Sequence, residues 1–331
     1  MQSFQFHYPY PFPLESGESL PCLDIQYHLS QAGTHAPIIW ICHALTANSN
    51  PQEWWDTLVG PGKFFDTQKM GIVCANMLGS CYGTTGPQSI NPATGQPYGW
   101  DFPLVSIRDM VRAHEILREY LGIQTIDLLI GGSSGGFQAL EWSLVAPSRI
   151  RALCPIATAP RISPWATALN EAQRMAIEAD YGPKGLAAAR AMALTSYRSF
   201  EGYGRTQAEP EADCFQAGRA ASYQRHQGRK LVDRFDACSY YRLTQGLDTH
   251  NVGRGRGGVA SALAHLSART LCIGIDSDGL FPLSEVQAMA DAIPGAHLQT
   301  ISSAYGHDGF LLEYQQIITS LCKFLNLEAV R

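Results

Sequence analysis

Residues 125–145 read TIDLLIGGSSGGFQALEWSLV, an apolar run that enters a glycine-rich turn and leaves as a helical pattern. The turn presents Ser133 within Gly131, Gly132, Ser134 and Gly135. This is G-x-S-x-G in the strand–turn–helix setting of a nucleophilic serine. Glycine is needed at 131 and 135 because the backbones flanking so strained a turn approach closely, and a Cβ there would clash. Ser133 then stands at a helix N-terminus, where free N–H groups and the helix dipole favour developing negative charge.

A hydroxyl is a weak nucleophile until a base takes its proton, and that base must be oriented by a third group. On a strand–elbow–helix scaffold the partners follow in the order serine, acid, histidine. LCIGIDSDGLFP sets Asp276 and Asp278 just past an apolar run. They share one strand parity, so the pattern leaves both open as the acid. His297 opens the strand-like AHLQTIS, whereas His307 lies in the loop SSAYGHDGF before the last helical pattern. From such a loop a base can swing over the sheet edge, so His307 is the preferred base. An oxyanion hole adds two N–H donors, each stabilising the transition state by about 3 kcal/mol. One is the amide of Ser134, the residue after the nucleophile. The other comes from the loop of IIWICHALTAN, in the region of Leu45. His43 in that loop has no second ligand at metal spacing, so it reads as a buried structural histidine and no metal site is expected.

These residues need a scaffold, and its pattern is legible. Apolar runs at Pro37–Cys42, Gly71–Asn76, Thr125–Ile130, Ala152–Ile156, Thr270–Ile275 and His297–Ile301 predict strands covered on both faces. Helical patterns at Ser106–Leu121, Gly136–Val145, Pro282–Ala292 and Gly309–Leu325 alternate with them. The result is an α/β chain with a doubly wound, mostly parallel sheet. Between about Arg161 and Gly258 the alternation stops. Helices are expected there at Trp165–Glu178, Lys184–Ser199, Ala212–Gln227 and Lys230–Leu247, forming a lid. The organisation is therefore a core of residues 1–160 and 259–331 with an inserted helical lid over 161–258. GRGRGG (Gly253–Gly258) reads as the lid's hinge rather than a phosphate cradle, because it follows a helix.

Composition excludes other classes. The 331 residues are 45% hydrophobic and 16% charged, which suits a large core and not a disordered chain. A net charge of −5 without any basic block argues against nucleic-acid partners. No apolar stretch approaches the ~18 residues of a membrane span. The N-terminus lacks the basic and apolar regions of a signal peptide. Nine cysteines without CxxC spacing suit a reducing compartment, and a cytoplasmic location is expected.

At this point the chain resembles the homoserine O-acyltransferases of methionine biosynthesis, a branch of the α/β-hydrolases. The likeness covers nearly the whole chain. It is carried by HALTAN (43–48), WWDTLVGPGKFFDT (54–67), NMLGSCYGTTGPQSINPATGQPYGWDFP (76–103) and SIRDMVRAHEILREYLGI (106–123). GGSSGGFQALEW (131–142), RFDACSYYRLTQGLD (234–248), VGRGRGG (252–258), DSDGLFP (276–282) and YGHDGFLLE (305–313) continue it. The resemblance implies an α/β-hydrolase fold, selects Asp278 as the acid, and assigns Ser133 and His307 as nucleophile and base. It implies that Arg190, in GLAAAR, holds the carboxylate of the amino-acid substrate and Asp308 its ammonium group. A buried zwitterion needs one cation and one anion, and bidentate arginine suits the carboxylate.

The expected reaction is ping-pong transfer of an acetyl group from acetyl-CoA, used as a substrate with no permanently bound cofactor, to the hydroxyl of L-homoserine. Succinyl-CoA, serine as acceptor, or plain esterase or thioesterase activity are the alternatives. Small molecules are the partners, and a homodimer through the lid is implied. Three positions depart from the family pattern. Ser134 stands where methionine is usual, Asn251 where aspartate is usual, and the stretch between Asp180 and Gly185 is short.

Overall fold

The computed structural model describes residues 1–31, 33, 36–210, 215 and 218–326. Eight strands form its main sheet: β1 (Gln2–Tyr8), β2 (Leu23–Leu29), β3 (Ile38–Cys42), β4 (Gly71–Ala75), β5 (Leu128–Gly132), β6 (Ala152–Ile156), β7 (Arg269–Ile275) and β8 (His297–Ile301). Their spatial order is β1-β2-β4-β3-β5-β6-β7-β8. β2 runs antiparallel to both neighbours, and the other five pairings are parallel. β4, β5 and β6 are buried at every position, which is why they read as unbroken apolar runs. β1 and β2 were not anticipated. β1 is an edge strand, exposed over its first four residues, and β2 only half-buries alternate positions, so neither carries the apolar signature of the central strands.

Helices cover both faces. α1 (Ile107–Tyr120) starts at a capping box in which Ser106 and Asp109 satisfy each other's backbone N–H groups. α2 (Ser134–Val145) follows the serine turn. The insertion contains α3 (Pro164–Glu178), α4 (Pro183–Tyr197), α5 (Phe200–Gln207), α6 (Gly218–Val232) and α7 (Ala237–Asp248). The chain returns through α8 (Val259–Ala264), then adds α9 (Leu283–Ala292), α10 (Gly309–Leu312) and α11 (Tyr314–Leu325). Trp40, Leu129 and Leu153 pack on one face with Met110, Phe137 and Val286 of α1, α2 and α9. Ile39, Leu128 and Ile130 pack on the other with Ile317 and Leu321 of α11. The strand period of two thus feeds two cores.

The helices differ from expectation in three places, and a fourth is untested. Lys230–Leu247 is not one helix, because Asp236 accepts from the Ser239 N–H at 2.9 Å and starts α7 afresh. An N-capping side chain here overrides the apolar period that ran through it. The start of the helix expected over Ala212–Gln227 lies outside the described residues, which enter α6 at Gly218. α5 was not foreseen, and Gly309–Leu325 divides at Glu313. GRGRGG does close the insertion, but clamped to the core. Arg254 pairs with Glu15 at 2.9 Å, and Arg256 and Arg108 both pair with Glu141.

The strand order reverses at β3, whose neighbours β4 and β5 follow it in sequence on opposite sides. A crevice therefore opens beyond the carboxyl ends of β3 and β5, the usual ligand position in open α/β sheets.

Candidate active site

The loop after β3 and the turn after β5 meet in that crevice. Ser133 takes φ +57° and ψ −125°, a conformation that only its surroundings hold in place. Those surroundings forbid larger neighbours. A Cβ on Gly131 would lie 2.4 Å from the Gly135 carbonyl, and one on Gly135 only 2.1 Å from the Cys42 carbonyl oxygen. Ser133 N–H donates to Ile156 of β6 at 2.9 Å, and its carbonyl accepts from the Thr158 hydroxyl at 2.9 Å. The turn is thus stitched to the end of β6 and the loop after it.

β7 and β8 deliver the acid and the base. His307 Nδ1 and Asp278 Oδ2 are 2.7 Å apart, with both residues buried. Asp278 Oδ1 accepts from the backbone N–H of Leu280 at 2.8 Å and of Phe281 at 3.0 Å. With Nδ1 donating to the carboxylate, Nε2 carries the lone pair, and it is buried without a hydrogen-bond partner. The rings of Phe281 and Phe310 lie 5.4 Å from the imidazole and hold its plane. Burial by itself pulls the pKa of His307 down. The charge and hydrogen bond of Asp278 outweigh it, with Asp308 adding, so the pKa stands above the ordinary histidine value.

The alternatives left open by the pattern have other partners. Asp276 accepts from the Ser303 N–H at 3.0 Å. His297 begins β8, at the end of the parallel strands away from Ser133. His43 is fully buried, with Nε2 accepting from the Met77 N–H and Nδ1 beside the Ala44 carbonyl. Burial pushes its pKa down to about 4, as suits a neutral structural ring. Among the described residues no group of three or more His, Cys, Asp or Glu is placed to hold a metal ion. No described helix is long and apolar enough to cross a membrane.

Ser133 and His307 line one cavity of about 560 Å³ together with Leu45, Arg190, Tyr197 and Asp308. Neither the Leu45 nor the Ser134 amide N–H has an acceptor among the described residues, so both are free for an oxyanion. The Arg190 guanidinium sits 5.7 Å over the Tyr197 ring, and no carboxylate pairs with it among the described residues. Asp308 does have a partner: Arg198 Nε stands 2.5 Å from its Oδ2. Sequence reasoning missed Arg198, which follows α4 and meets Asp308 only through the fold. It also missed Tyr82, Lys230 and Arg234 on the cavity wall. A second, much smaller cavity of about 30 Å³ adjoins Ser133 and includes Leu45, Ser134, Phe137, Leu280 and Phe281 in its lining. The Ser134 hydroxyl is buried there with no partner. Asn251 forms a local turn, its Oδ1 accepting from the Gly253 N–H at 2.9 Å. An aspartate would accept the same bond, so the departure keeps the turn and changes only the charge there.

The sequence profile of the alpha/beta hydrolase fold matches residues 37–191. The chain is 44% identical to the homoserine O-acetyltransferase of Trichormus variabilis, over 99% of this chain and 96% of the relative. It is similar to the crystal structure of homoserine O-acetyltransferase from Staphylococcus aureus, at 30% identity and a TM-score of 0.82, covering 100% of this chain and 97% of that one. An acetylester hydrolase from Corynebacterium glutamicum shares the fold at 22% identity and a TM-score of 0.85, covering 98% and 96% of the two chains.

Proposed function

The chain belongs to the homoserine O-acetyltransferase family, and we propose that Ser133, His307 and Asp278 carry its reaction, moving acetyl from acetyl-CoA to the side-chain hydroxyl of L-homoserine. The observation that carries this reading is the buried His307–Asp278 pair, with Nε2 unengaged and His307 lining the same cavity as Ser133. His307 takes the Ser133 proton as Oγ attacks the thioester carbonyl. The Leu45 and Ser134 amides receive the oxyanion charge. On collapse the C–S bond breaks, CoA leaves with the proton from His307, and acetyl-serine remains. Homoserine then gives its hydroxyl proton to His307, its oxygen attacks the acetyl carbonyl, and Ser133 recovers its proton as the product ester forms.

Arg190 binds the homoserine carboxylate and Asp308 the ammonium group. The support is that a cation without a carboxylate partner and an anion face one cavity. Arg198 pairs with Asp308 on the cavity side. Acetyl rather than succinyl is favoured by the small cavity beside Ser133, whose lining offers no cation for a second carboxylate. The helical insertion over 161–258 acts as a lid that keeps water from the acetyl-enzyme. It also carries exposed Trp165, Met175, Met192 and Phe200, apolar positions that suit a homodimer through the lid. The eight described cysteines are free, which suits action in the cytoplasm.

The test is a thiol-release assay crossing acetyl-CoA and succinyl-CoA with homoserine and serine. Intact mass is followed for wild type and Ser133→Ala. Homoserine-dependent release from acetyl-CoA and an acetyl adduct on wild type alone are expected. An adduct on Ser133→Ala, or thiol release indifferent to homoserine, overturns the reading.

A further inference from the structure

One part of the donor has no place in the site as described. Acetyl-CoA presents a small thioester at the end of a long pantetheine arm, and its other end carries a diphosphate and a 3′-phosphate. That end must stay outside the 560 Å³ cavity while the thioester reaches Ser133. The wall of the cavity carries suitable chemistry. Lys230 lines it, and Lys230 also lines a second, more open groove of about 620 Å³ with Lys184, His226 and Arg229. The two spaces therefore share Lys230 in their linings.

The groove lies where α6 faces the first turn of α4. α6 reads GRAASYQRHQGRKLV, with four Lys or Arg residues, one histidine and no carboxylate, in a chain whose net charge is −5. His226, Arg229 and Lys230 are at i, i+3 and i+4 and so share one helix face. All three are exposed, as is Lys184. Among the described residues Lys184, Arg229 and Lys230 have no ion-pair partner. Arg234 completes the rim beside Lys230, and its guanidinium donates to the Tyr82 hydroxyl at 2.7 Å and to Thr46 rather than to a carboxylate. Four acids stand near this region among the described residues. Asp308 is paired with Arg198 on the cavity wall, and the Asp180 carboxylate accepts from the Lys184 and Gly185 N–H groups. Asp233 is in the groove. Glu53 is on the cavity wall, with its carboxylate engaged by the Asn48 and Asn50 side-chain amides. Positive charge concentrated in this way repels itself and attracts a polyanion. Guanidinium and ammonium groups at helical spacing match phosphate oxygens.

We propose that the groove formed by Lys184, Arg229 and Lys230 binds the phosphorylated nucleotide end of acyl-CoA, with the pantetheine arm passing between Lys230 and Arg234 to Ser133. The proposal rests on the acyl-CoA-dependent reading above and adds the site of donor recognition.

The experiment compares three donors, acetyl-CoA, its 3′-dephospho form and S-acetylpantetheine, on wild type and on Lys184→Gln/Arg229→Gln. Binding of CoA and of pantetheine is measured by calorimetry in parallel. The double variant should raise KM for acetyl-CoA and Kd for CoA about tenfold or more, the loss expected for charge-assisted contacts. Its kcat/KM with S-acetylpantetheine should change less than about twofold, and added salt should weaken CoA binding to wild type more than to the variant. The dephospho donor shows which phosphate the groove holds: a full effect with it assigns the diphosphate, a lost effect the 3′-phosphate. Equal losses with acetyl-CoA and S-acetylpantetheine would mean a structural role and overturn the proposal, as would no change with either. If wild type released no thiol, the acyltransferase reading would fail, while the calorimetric contrast between CoA and pantetheine would still decide the groove.

Discussion

Replacing Asp278 by asparagine probes the site sharply, because the structure dictates which way the new amide faces. One oxygen of Asp278 accepts two backbone N–H groups, at 2.8 and 3.0 Å. Turning an NH2 group towards them would set donors against donors, so the amide oxygen stays there and the NH2 meets His307 Nδ1. That nitrogen must then accept, the ring proton moves to Nε2, and the imidazole offers Ser133 an N–H in place of a lone pair. The expected loss in kcat is about 10⁴-fold, or about 5.5 kcal/mol at 1.36 kcal/mol per decade. The side chain keeps its volume, so the fold should survive. A second consequence concerns pH. With the charge of Asp278 removed, burial is no longer outweighed, and the pKa of His307 falls from above the ordinary histidine value to below it. Since the base must be neutral, the acidic limb of the residual rate should move to lower pH. Pre-steady-state thiol release from acetyl-CoA across about pH 5–9 reads both effects. A variant within about tenfold of wild type, or an acidic limb that does not move, would refute the tautomer argument.

Arg190→Ala should lower kcat/KM for homoserine by about 10²-fold, the cost of losing a charge-assisted carboxylate contact. The acetyl-CoA burst should change less than about twofold. Equal damage to both half-reactions would mark Arg190 as structural. Gly135→Ala puts a Cβ 2.1 Å from the Cys42 carbonyl oxygen, with backbone on both sides. A destabilisation of about 3 kcal/mol or more is expected from such overpacking, and an unchanged urea midpoint would contradict the packing described. Buried His43 and His114 are pushed down to about 4, and His250 to about 3, by desolvation. Below the ordinary value near 6.5 the unfolded chain binds these protons first, so stability should fall with falling pH. The slope is about 1.4 kcal/mol per pH unit for each ring. His307 opposes this with the reverse sign, since its contribution is full below pH 6.5 and is lost as pH rises through its raised folded value. Urea midpoints at about pH 7 and 5 test the balance, and greater stability on acidification would count against it.

The local chemistry of the nucleophile was legible because it is sterically local. A serine forced to positive φ between a buried strand and a helix tolerates only glycine around it, and those glycines stand in the sequence within four residues of one another. The central strands were equally legible, since burial on both faces leaves unbroken apolar runs. The edge strand β1 and its neighbour β2 were not, because strands only partly buried lack that signature. The division between α6 and α7 turned on one N-cap, which the apolar period concealed.

Choices between like residues depended on distance through space. Asp276 and Asp278 have the same parity on the same strand end, and residue spacing cannot separate them. The fold gives one to the Ser303 amide and the other to His307. Arg198 meets Asp308 across 110 residues of chain, and Lys230 links the cavity to the cationic groove only because α6 packs beside α4. Sequence by itself thus determined which groups are available and which turn holds the nucleophile, since those follow from backbone sterics and from runs of apolar side chains. Tertiary structure alone decided which charges meet, because pairing depends on approach within a few ångströms, and chain order does not encode that separation.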